Sequence, residues 1–329
     1  MQNALTAVKE KPPTISTQQV PKCALCGCME HAEFAEGQDY ELMTCANNWR
    51  FVRCTDCNLV RLNPRPSTNE LSAIYPPEYY SYDLTARINP IALKGKAFLD
   101  ALKFKTILHI SNSKPKSYLD IGCGDGRYLK VLEKTGIARQ NIYGIELSEE
   151  PVRALLTAGF RVTCERVEES TSIPENSIDL ITMFHVIEHV ADPSLVVERI
   201  ANWLSKGGTL AIETPNLDSI DAKMFGKTFW GGYHIPRHWY LFSTSTLQQI
   251  LEKHGLKVIA VKYQTGHSFW MYSLHHTLKY NRILPMPGLC KLFDPTKGLP
   301  ALIAFTGLDI LRRTFGFPTS SVLMVATKE

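Results

Sequence analysis

Three sets of residues have the types and spacing that chemistry requires. The first is Cys23-x-x-Cys26 and Cys54-x-x-Cys57, two pairs with 27 residues between them. Each pair can form a tight turn that aims two thiolates at one ion, and four thiolates satisfy a tetrahedral Zn2+. The intervening stretch is too short to build a core alone, so a structural metal would supply the missing stability. Cys28 and Cys45 are spare, and either could replace a ligand. Two pairs, with no βαβ pattern around them, speak against a redox Cys-x-x-Cys. The plain alternative is a set of reduced, buried cysteines.

The second set is the stretch LDIGCGDG at residues 119–126. An apolar run ends in Asp120, and Gly122, Gly124 and Gly126 alternate behind it. Bare backbone just beyond a strand lets a small ligand approach the main chain closely. A dinucleotide fingerprint would place its last glycine at 127, where Arg127 stands, and the Lys-Ser/Thr pair of a phosphate loop is missing. Glu146 comes 24 residues beyond Gly122, ending the next apolar run. A carboxylate at that place accepts hydrogen bonds from ribose hydroxyls. The pattern asks for a nucleoside ligand without a pyrophosphate clamp. S-adenosylmethionine fits, being a ribose, an adenine, an amino-acid tail and a sulfonium.

The third set is histidine. Eight of the ten histidines lie between residues 185 and 276. Histidine titrates near neutral pH and is the usual proton acceptor. His189 and His238 are the first choices for a base, with His185 as a neighbour on the cofactor side. His185 and His189 are four apart, and would share a face if their segment were helical. Glu188 can point inward and orient a neighbour. A histidine pair can also ligate a metal, and each histidine singly can be a structural hydrogen-bonder.

The elements that must position these residues follow from periodicity. KSYLDIG is continuously apolar and reads as a buried parallel strand. GRYLKVLEKTG reads as a helix closed by Gly136, NIYGIELS as a second strand, and PVRALLTAG as a second helix with Pro151 in its first turn. This βαβα series predicts a parallel, doubly wound α/β sheet. Residues 88–110 read as a further helix. STSTLQQILEKHG is a capped amphipathic helix, LKVIAVKYQ the next strand, and SSVLMVATKE the candidate last strand. The expected organisation is a disordered tail (1–20), a zinc-ribbon-like module (21–66), a linker and helical segment (67–116) and a main domain (117–329). Within that domain, 217–243 and 265–319 read as insertions over the substrate. The linker concentrates Tyr75, Tyr79, Tyr80 and Tyr82, as if packed across a domain mouth.

Bulk properties restrict the partners. The net charge of +4 gives no case for a DNA binder and disfavours RNA. Residues 262–329 nevertheless hold eight Lys or Arg against three Asp or Glu, which suits an anionic acceptor or membrane surface as well as a solvated face. No apolar run reaches the roughly 18 to 20 residues that span a bilayer. No secretory signal is visible, so a cytoplasmic location is expected, with peripheral contact at the inner face of the membrane as one option for the apolar, Arg312- and Arg313-tipped insertion.

Taken together, LDIGCGDG, IYGIELS, VEESTSIPENSIDLI, HVIEHVADP, LSKGGTLAIETPN and PRHWYLFS resemble the motif series of the class I SAM-dependent methyltransferases over residues 117–261. The N-terminal Cys-x-x-Cys pairs followed by NLVRLNPRP and EYY resemble a bacterial branch of that family. The resemblance then reaches nearly the whole chain beyond its first 20 residues. It implies a Rossmann-like sheet of seven strands with helices on both faces, plus a small zinc ribbon and an α-helical C-terminal insertion. It also implies that Asp120, Gly122, Gly124 and Gly126 cradle the methionine end and ribose. Glu146 would hold the ribose hydroxyls, with Leu147 against the adenine. Val167 and Glu168 would stand at the adenine edge, departing from the commoner acid-Ala pair. Phe184 and His185 would line the methyl-donor side. The function implied is methyl transfer to a small-molecule or glycan/lipid-linked acceptor. A zinc-ribbon rRNA or tRNA methyltransferase and a non-catalytic cofactor-binding protein are the alternatives.

Overall fold

The computed structural model describes residues 12–76, 90–281, 286–295 and 298–329. Tyr79, Tyr80 and Tyr82 lie outside them. The N-terminal module consists of β1 (Thr17–Gln18), β2 (His31–Gly37), β3 (Trp49–Cys54), β4 (Val60–Leu62) and β5 (Arg65–Pro66), followed by the single turn α1 (Leu71–Ile74). Strand β1 pairs antiparallel with β5. Residues 12–20 are therefore not a disordered tail, because a two-residue ladder ties them to the far end of the module. Trp49, Phe51, Cys54, Leu59 and Val60 are fully buried and form its interior.

A long helix, α2 (Pro90–Ser111), leads into the main domain. There β6 (Tyr118–Ile121), α3 (Arg127–Lys134), β7 (Ile142–Glu146), α4 (Glu149–Thr157), β8 (Arg161–Cys164), β9 (Ile178–Phe184), α5 (Pro193–Trp203) and β10 (Leu204–Pro215) alternate. The helix α6 (Ile220–Phe225), the two-residue β11 (Tyr240–Leu241), α7 (Thr244–Lys253) and β12 (Leu256–Gln264) follow. The C-terminal insertion holds α8 (His267–Tyr280), the turn α9 (Pro287–Cys290) and α10 (Leu299–Thr314), before β13 (Ser321–Lys328) closes the chain.

The seven-stranded sheet has the order β12-β13-β10-β9-β6-β7-β8. The run β10-β9-β6-β7-β8 is parallel, and β13 enters antiparallel between β10 and β12. The inner strands show why. Ile178, Leu180, Ile181 and Met183 on β9 and Leu210, Ala211 and Ile212 on β10 are all fully buried. Such runs have no polar face to turn toward water and need helices on both sides. Each fully buried Leu or Ile contributes roughly 1.5–3 kcal/mol. Because β6, β7, β9 and β10 run the same way, the residues that follow their carboxyl ends collect on one edge, where open α/β sheets bind ligands.

The N-terminal module is welded to that edge. Strand β11, from the segment PRHWYLFS, joins the module as its fourth strand, pairing antiparallel with β4. Arg237 and Asp39 form an ion pair with both side chains fully buried. Arg61 donates to the carbonyls of Val20 and Pro21, Arg65 to that of Ala191 and Lys253 to that of Leu25. Each bond satisfies a backbone oxygen that the junction would otherwise strand without water. The insertion packs likewise: Asp309 on α10 accepts from Gly266 N and Trp270 Nε1, and Trp270 stacks on Phe305 with ring centroids 5.4 Å apart. The other half of α10 stays exposed, and Arg313 is the only charged residue on it. Leu299, Ile303, Leu308, Ile310 and Leu311 are 38–63% exposed.

Candidate active site

The glycine loop follows β6. Gly122, Gly124 and Gly126 all have left-handed φ, at +77°, +50° and +71°, a conformation in which a side chain costs roughly 1–2 kcal/mol. Their surroundings differ. A Cβ on Gly122 would stand 2.4 Å from Val186 Cγ2, and one on Gly126 2.3 Å from Leu155 Cδ2, so both are bare for packing. A Cβ on Gly124 would meet nothing within 4 Å, so that side of the loop is open. The loop is pinned by Gly122 N and Cys123 N donating to Ile145 O, at 2.8 and 3.2 Å.

Glu146 ends β7 and is fixed by the backbone alone. Its Oε2 accepts from Gly124 N at 2.8 Å, and its Oε1 from Leu147 N at 2.7 Å and Ser148 N at 3.1 Å. Leu147 beside it is 55% exposed, an apolar surface with no protein cover. Asp120 is buried, with Oδ1 accepting from Thr182 Oγ1 at 2.7 Å and Oδ2 left without a partner. Burial, aided by Glu146, pushes the Asp120 carboxyl up to about 7 against the pull of Thr182 and Arg127. Val167 lies inside the core. The Glu168 carboxylate is engaged, accepting from Ala191 N at 2.6 Å and from Arg166 at 2.9 Å. Both bonds fall on Oε1, which holds the β9–α5 connection.

Strand β9 ends at Phe184, whose ring meets Tyr128 edge-on at 5.3 Å and carries Lys103 Nζ 4.3 Å from its centroid. The next residues form a turn, not a helix. His185 has φ +56°, so His185 and His189 do not share a helical face. Glu188, wholly buried, sits between the groups of interest. Its Oε1 is 3.4 Å from His185 Nδ1 and 4.0 Å from His238 Nε2, and its Oε2 accepts from Thr214 Oγ1 at 3.0 Å. His185 Nε2 is 3.3 Å from Glu213 Oε1, and Glu213 also pairs with Lys103. His189 and His238 are brought together, with ring centroids 4.6 Å apart.

Protonation follows from these partners. Partial desolvation would lower His185, whose side chain is 43% exposed, but Glu188 and Glu213 outweigh it and raise it to about 9. Burial lowers His189 to about 4, despite Glu188, and neighbouring imidazoles add to the effect. Burial, with His189 and His234, also drives His238 well below its ordinary value. At neutral pH His185 is a cation and the other two are neutral. The carbonyl of Gly232 can only accept, so neutral His238 donates to it from Nδ1 at 2.7 Å and keeps a lone pair on Nε2. His189 Nδ1 lies between the Arg237 carbonyl, at 3.0 Å, and the Tyr75 hydroxyl, at 2.9 Å.

Sequence reasoning missed Lys103 on α2 and Arg237 as a buried anchor. It placed Tyr75 in the linker without its role, which is a contact of its OH with His189 Nδ1 at 2.9 Å. Only the run of tyrosines hinted at that contact. Nothing local marks Lys103 among the other lysines of α2.

The four cysteines converge. Cys23 and Cys57 Sγ are 3.4 Å apart, Cys26 and Cys54 3.5 Å, and all four lie within 4.8 Å of one another. Each pair is followed by a left-handed residue, Gly27 at φ +78° and Asn58 at φ +64°, which turns the chain under the sulfurs. Cys28 contacts Glu30 O and Thr55, and Cys45 is buried outside the cluster.

Residues 96–261, just over half the chain, match the profile of a family described as a methyltransferase domain. A ubiquinone biosynthesis O-methyltransferase of Colwellia psychrerythraea is 26% identical over 186 residues, covering 53% of this chain and 74% of that protein. The protein of the same name from Cupriavidus pinatubonensis is 30% identical over 124 residues, covering 36% of this chain and 49% of that protein. The chain thus spans about half the length of some curated relatives it matches. Among solved structures, a SAM dependent methyltransferase from Archaeoglobus fulgidus is similar at 19% identity and a TM-score of 0.45, over 70% of this chain and 93% of that one. With the strand order, the glycine loop and Glu146 on one edge of the sheet, the chain belongs to the family of S-adenosylmethionine-dependent methyltransferases.

Proposed function

We propose that this protein transfers the methyl group of S-adenosylmethionine to a hydroxyl oxygen of a small-molecule or lipid-linked acceptor. The observation that carries the reading is one sheet edge that holds both the glycine loop with Glu146 and the cluster of Glu188, His189 and His238. The chain's residues fit the cofactor. The unpartnered Asp120 Oδ2 and the open side of Gly124 take its amino-acid end, and Glu146, already oriented by three N–H groups, accepts from the ribose hydroxyls. Leu147 covers one face of the adenine. Phe184 and the His185 cation border the methyl donor.

On the acceptor side, neutral His189 and His238 offer polar contacts to the acceptor. The acceptor oxygen approaches in line. Its bond to the methyl carbon forms as the carbon–sulfur bond breaks, the electron pair returns to sulfur, and the hydroxyl proton leaves to solvent through the cluster. The relatives named as O-methyltransferases support oxygen as the acceptor atom.

The cysteine cluster is proposed to bind one structural Zn2+. Tetrahedral ligation at about 2.3 Å sets the sulfurs about 3.8 Å apart, close to the separations found. The apolar half of α10, with Arg313 and the basic surplus of residues 262–329, is proposed to rest on an anionic membrane surface, where an acceptor with an apolar part would reside. Ile303→Glu should then reduce sedimentation with anionic vesicles and leave neutral vesicles unaffected. Labelled cofactor incubated with separate pools of phenolic metabolites, lipid-linked sugars and RNA tests the main reading. Label in the first or second pool supports it, and label in RNA alone overturns it.

A further inference from the structure

Four imidazoles crowd the acceptor side, those of His185, His189, His234 and His238, and a proton released there meets them unequally. His185 already holds one, between Glu188 and Glu213. Burial keeps His189 and His238 neutral. Among the described residues no carboxylate is in hydrogen-bond contact with either ring, since Glu188 Oε1 stays 4.0 Å from His238 Nε2. His234 differs. Its Nδ1 is 2.5 Å from Oε2 of Glu41, which lies 193 residues earlier in the N-terminal module, and both side chains are buried.

Burial alone would raise Glu41, but His234 and Arg237 hold it below its ordinary value, so it is a carboxylate at neutral pH. A carboxylate only accepts, so His234 donates from Nδ1, and in the neutral ring the lone pair sits on Nε2. Glu41 Oε1 is buried without a hydrogen-bond partner among the described residues. The surrounding groups do not oppose the pair. Arg237 is engaged by Asp39 through both terminal nitrogens. His276, acting on Glu41 from α8, is neutral through burial. His189 and His238, with ring centroids 6.2 and 5.0 Å from that of His234, are neutral as well. A proton that lands on His234 therefore meets a carboxylate already in contact. His234 also stands at φ +37°. A non-glycine residue keeps that left-handed conformation only where its surroundings impose it, and such residues gather at active sites.

We propose that His234 takes the acceptor's hydroxyl proton and that Glu41 is its positioning residue, so that the N-terminal module completes the active site. This rests on the acceptor-side reading above and names where the proton first lands. The O–H bond breaks toward His234 Nε2 as the oxygen–methyl bond forms, and the carbon–sulfur electron pair stays on sulfur. The imidazolium, balanced by Glu41, returns the proton to solvent once the product leaves. A base oriented through its second nitrogen by a carboxylate is an arrangement general-base catalysis uses.

The test uses the full chain and the acceptor pool that takes label in the parent protein. His234→Gln should lower kcat at least about a hundredfold and Glu41→Gln at least about tenfold, with acceptor KM and calorimetric cofactor affinity unchanged. Glu41→Asp should recover part of the loss. In proton NMR the Nδ1–H of His234, assigned by its disappearance in His234→Gln, should resonate downfield in the parent and move upfield in Glu41→Gln. A parental kcat in His234→Gln or in Glu41→Gln overturns the proposal. Should His234→Gln lose cofactor affinity together with kcat, the comparison of Glu41→Gln with Glu41→Asp decides, and equal rates in those two overturn it. If the parent labels no pool, the functional reading falls, and the resonance alone decides the pair. An Nδ1–H that Glu41→Gln leaves unmoved then removes Glu41 as the positioning residue, and one that moves keeps it.

Discussion

Two glycines three residues or fewer from one another should fail in opposite ways. In Gly122→Ala the new Cβ stands 2.4 Å from Val186 Cγ2. Valine is β-branched and stiff at χ1, so relief requires moving the turn that carries His185 and Glu188. Left-handed strain of roughly 1–2 kcal/mol and overpacking of roughly 1–3 kcal/mol sum to about 2–5 kcal/mol of lost stability. Gly124→Ala has the same kind of backbone, φ +50°, but its Cβ enters empty space. It should cost only the backbone strain, roughly 1–2 kcal/mol, and its methyl group should obstruct the cofactor. Urea unfolding without cofactor, paired with calorimetric titration of S-adenosylmethionine, separates the two. Gly122→Ala should shift the unfolding midpoint strongly. Gly124→Ala should shift it little and weaken cofactor binding by tenfold or more, since a displaced Gly124 N–H also releases Glu146. Equal loss of stability in the two variants, or full cofactor affinity in Gly124→Ala, would refute the assignment of ligand space to the open side of Gly124.

Further outcomes follow from the same geometry. Protein purified without added metal should retain zinc on Cys23, Cys26, Cys54 and Cys57. Cys54→Ser should lose it and expose Trp239, because β11 shares a sheet with the module; unchanged tryptophan fluorescence would contradict this. Asp39→Ala removes the carboxylate that faces the buried Arg237 guanidinium and should cost about 3–5 kcal/mol, read by denaturant unfolding. Burial alone would raise Asp39, but Arg237 and Thr44 hold it below its ordinary value, so its stabilising effect is present above the unfolded pKa and is lost in acid. In metal-free protein, NMR titration should place His185 near 9 and His189 near 4. The His185 contribution is therefore complete below about 6.5 and disappears as pH rises through 9. That of neutral His189 is complete above about 6.5 and disappears as pH falls through 4. Coincident titration of the two rings would disprove the opposed environments.

What could be read from the chain alone is what short-range chemistry dictates. The strand, the three glycines and Glu146 occupy fewer than thirty residues, and the backbone that joins them leaves few ways to arrange them. The two Cys-x-x-Cys turns are local in the same sense, and the continuously apolar runs announced buried parallel strands. The regions of error were those where the decisive partner is remote in sequence. Residues 12–20 look too polar to fold, yet β1 finds β5 more than forty residues on. The segment PRHWYLFS reads as part of the cap, yet β11 completes the sheet of the N-terminal module, and Arg237 is neutralised by Asp39 about two hundred residues away. Glu168 also takes a structural part that its position does not announce, because its Oε1 accepts from Ala191 N, more than twenty residues on. Histidine composition showed that an acceptor site was plausible, but not which rings are neutral. That depends on burial, on Glu188 and Glu213 flanking His185, and on which carbonyl each Nδ1 faces. These are properties of packed neighbours, and no spacing along a single chain encodes them.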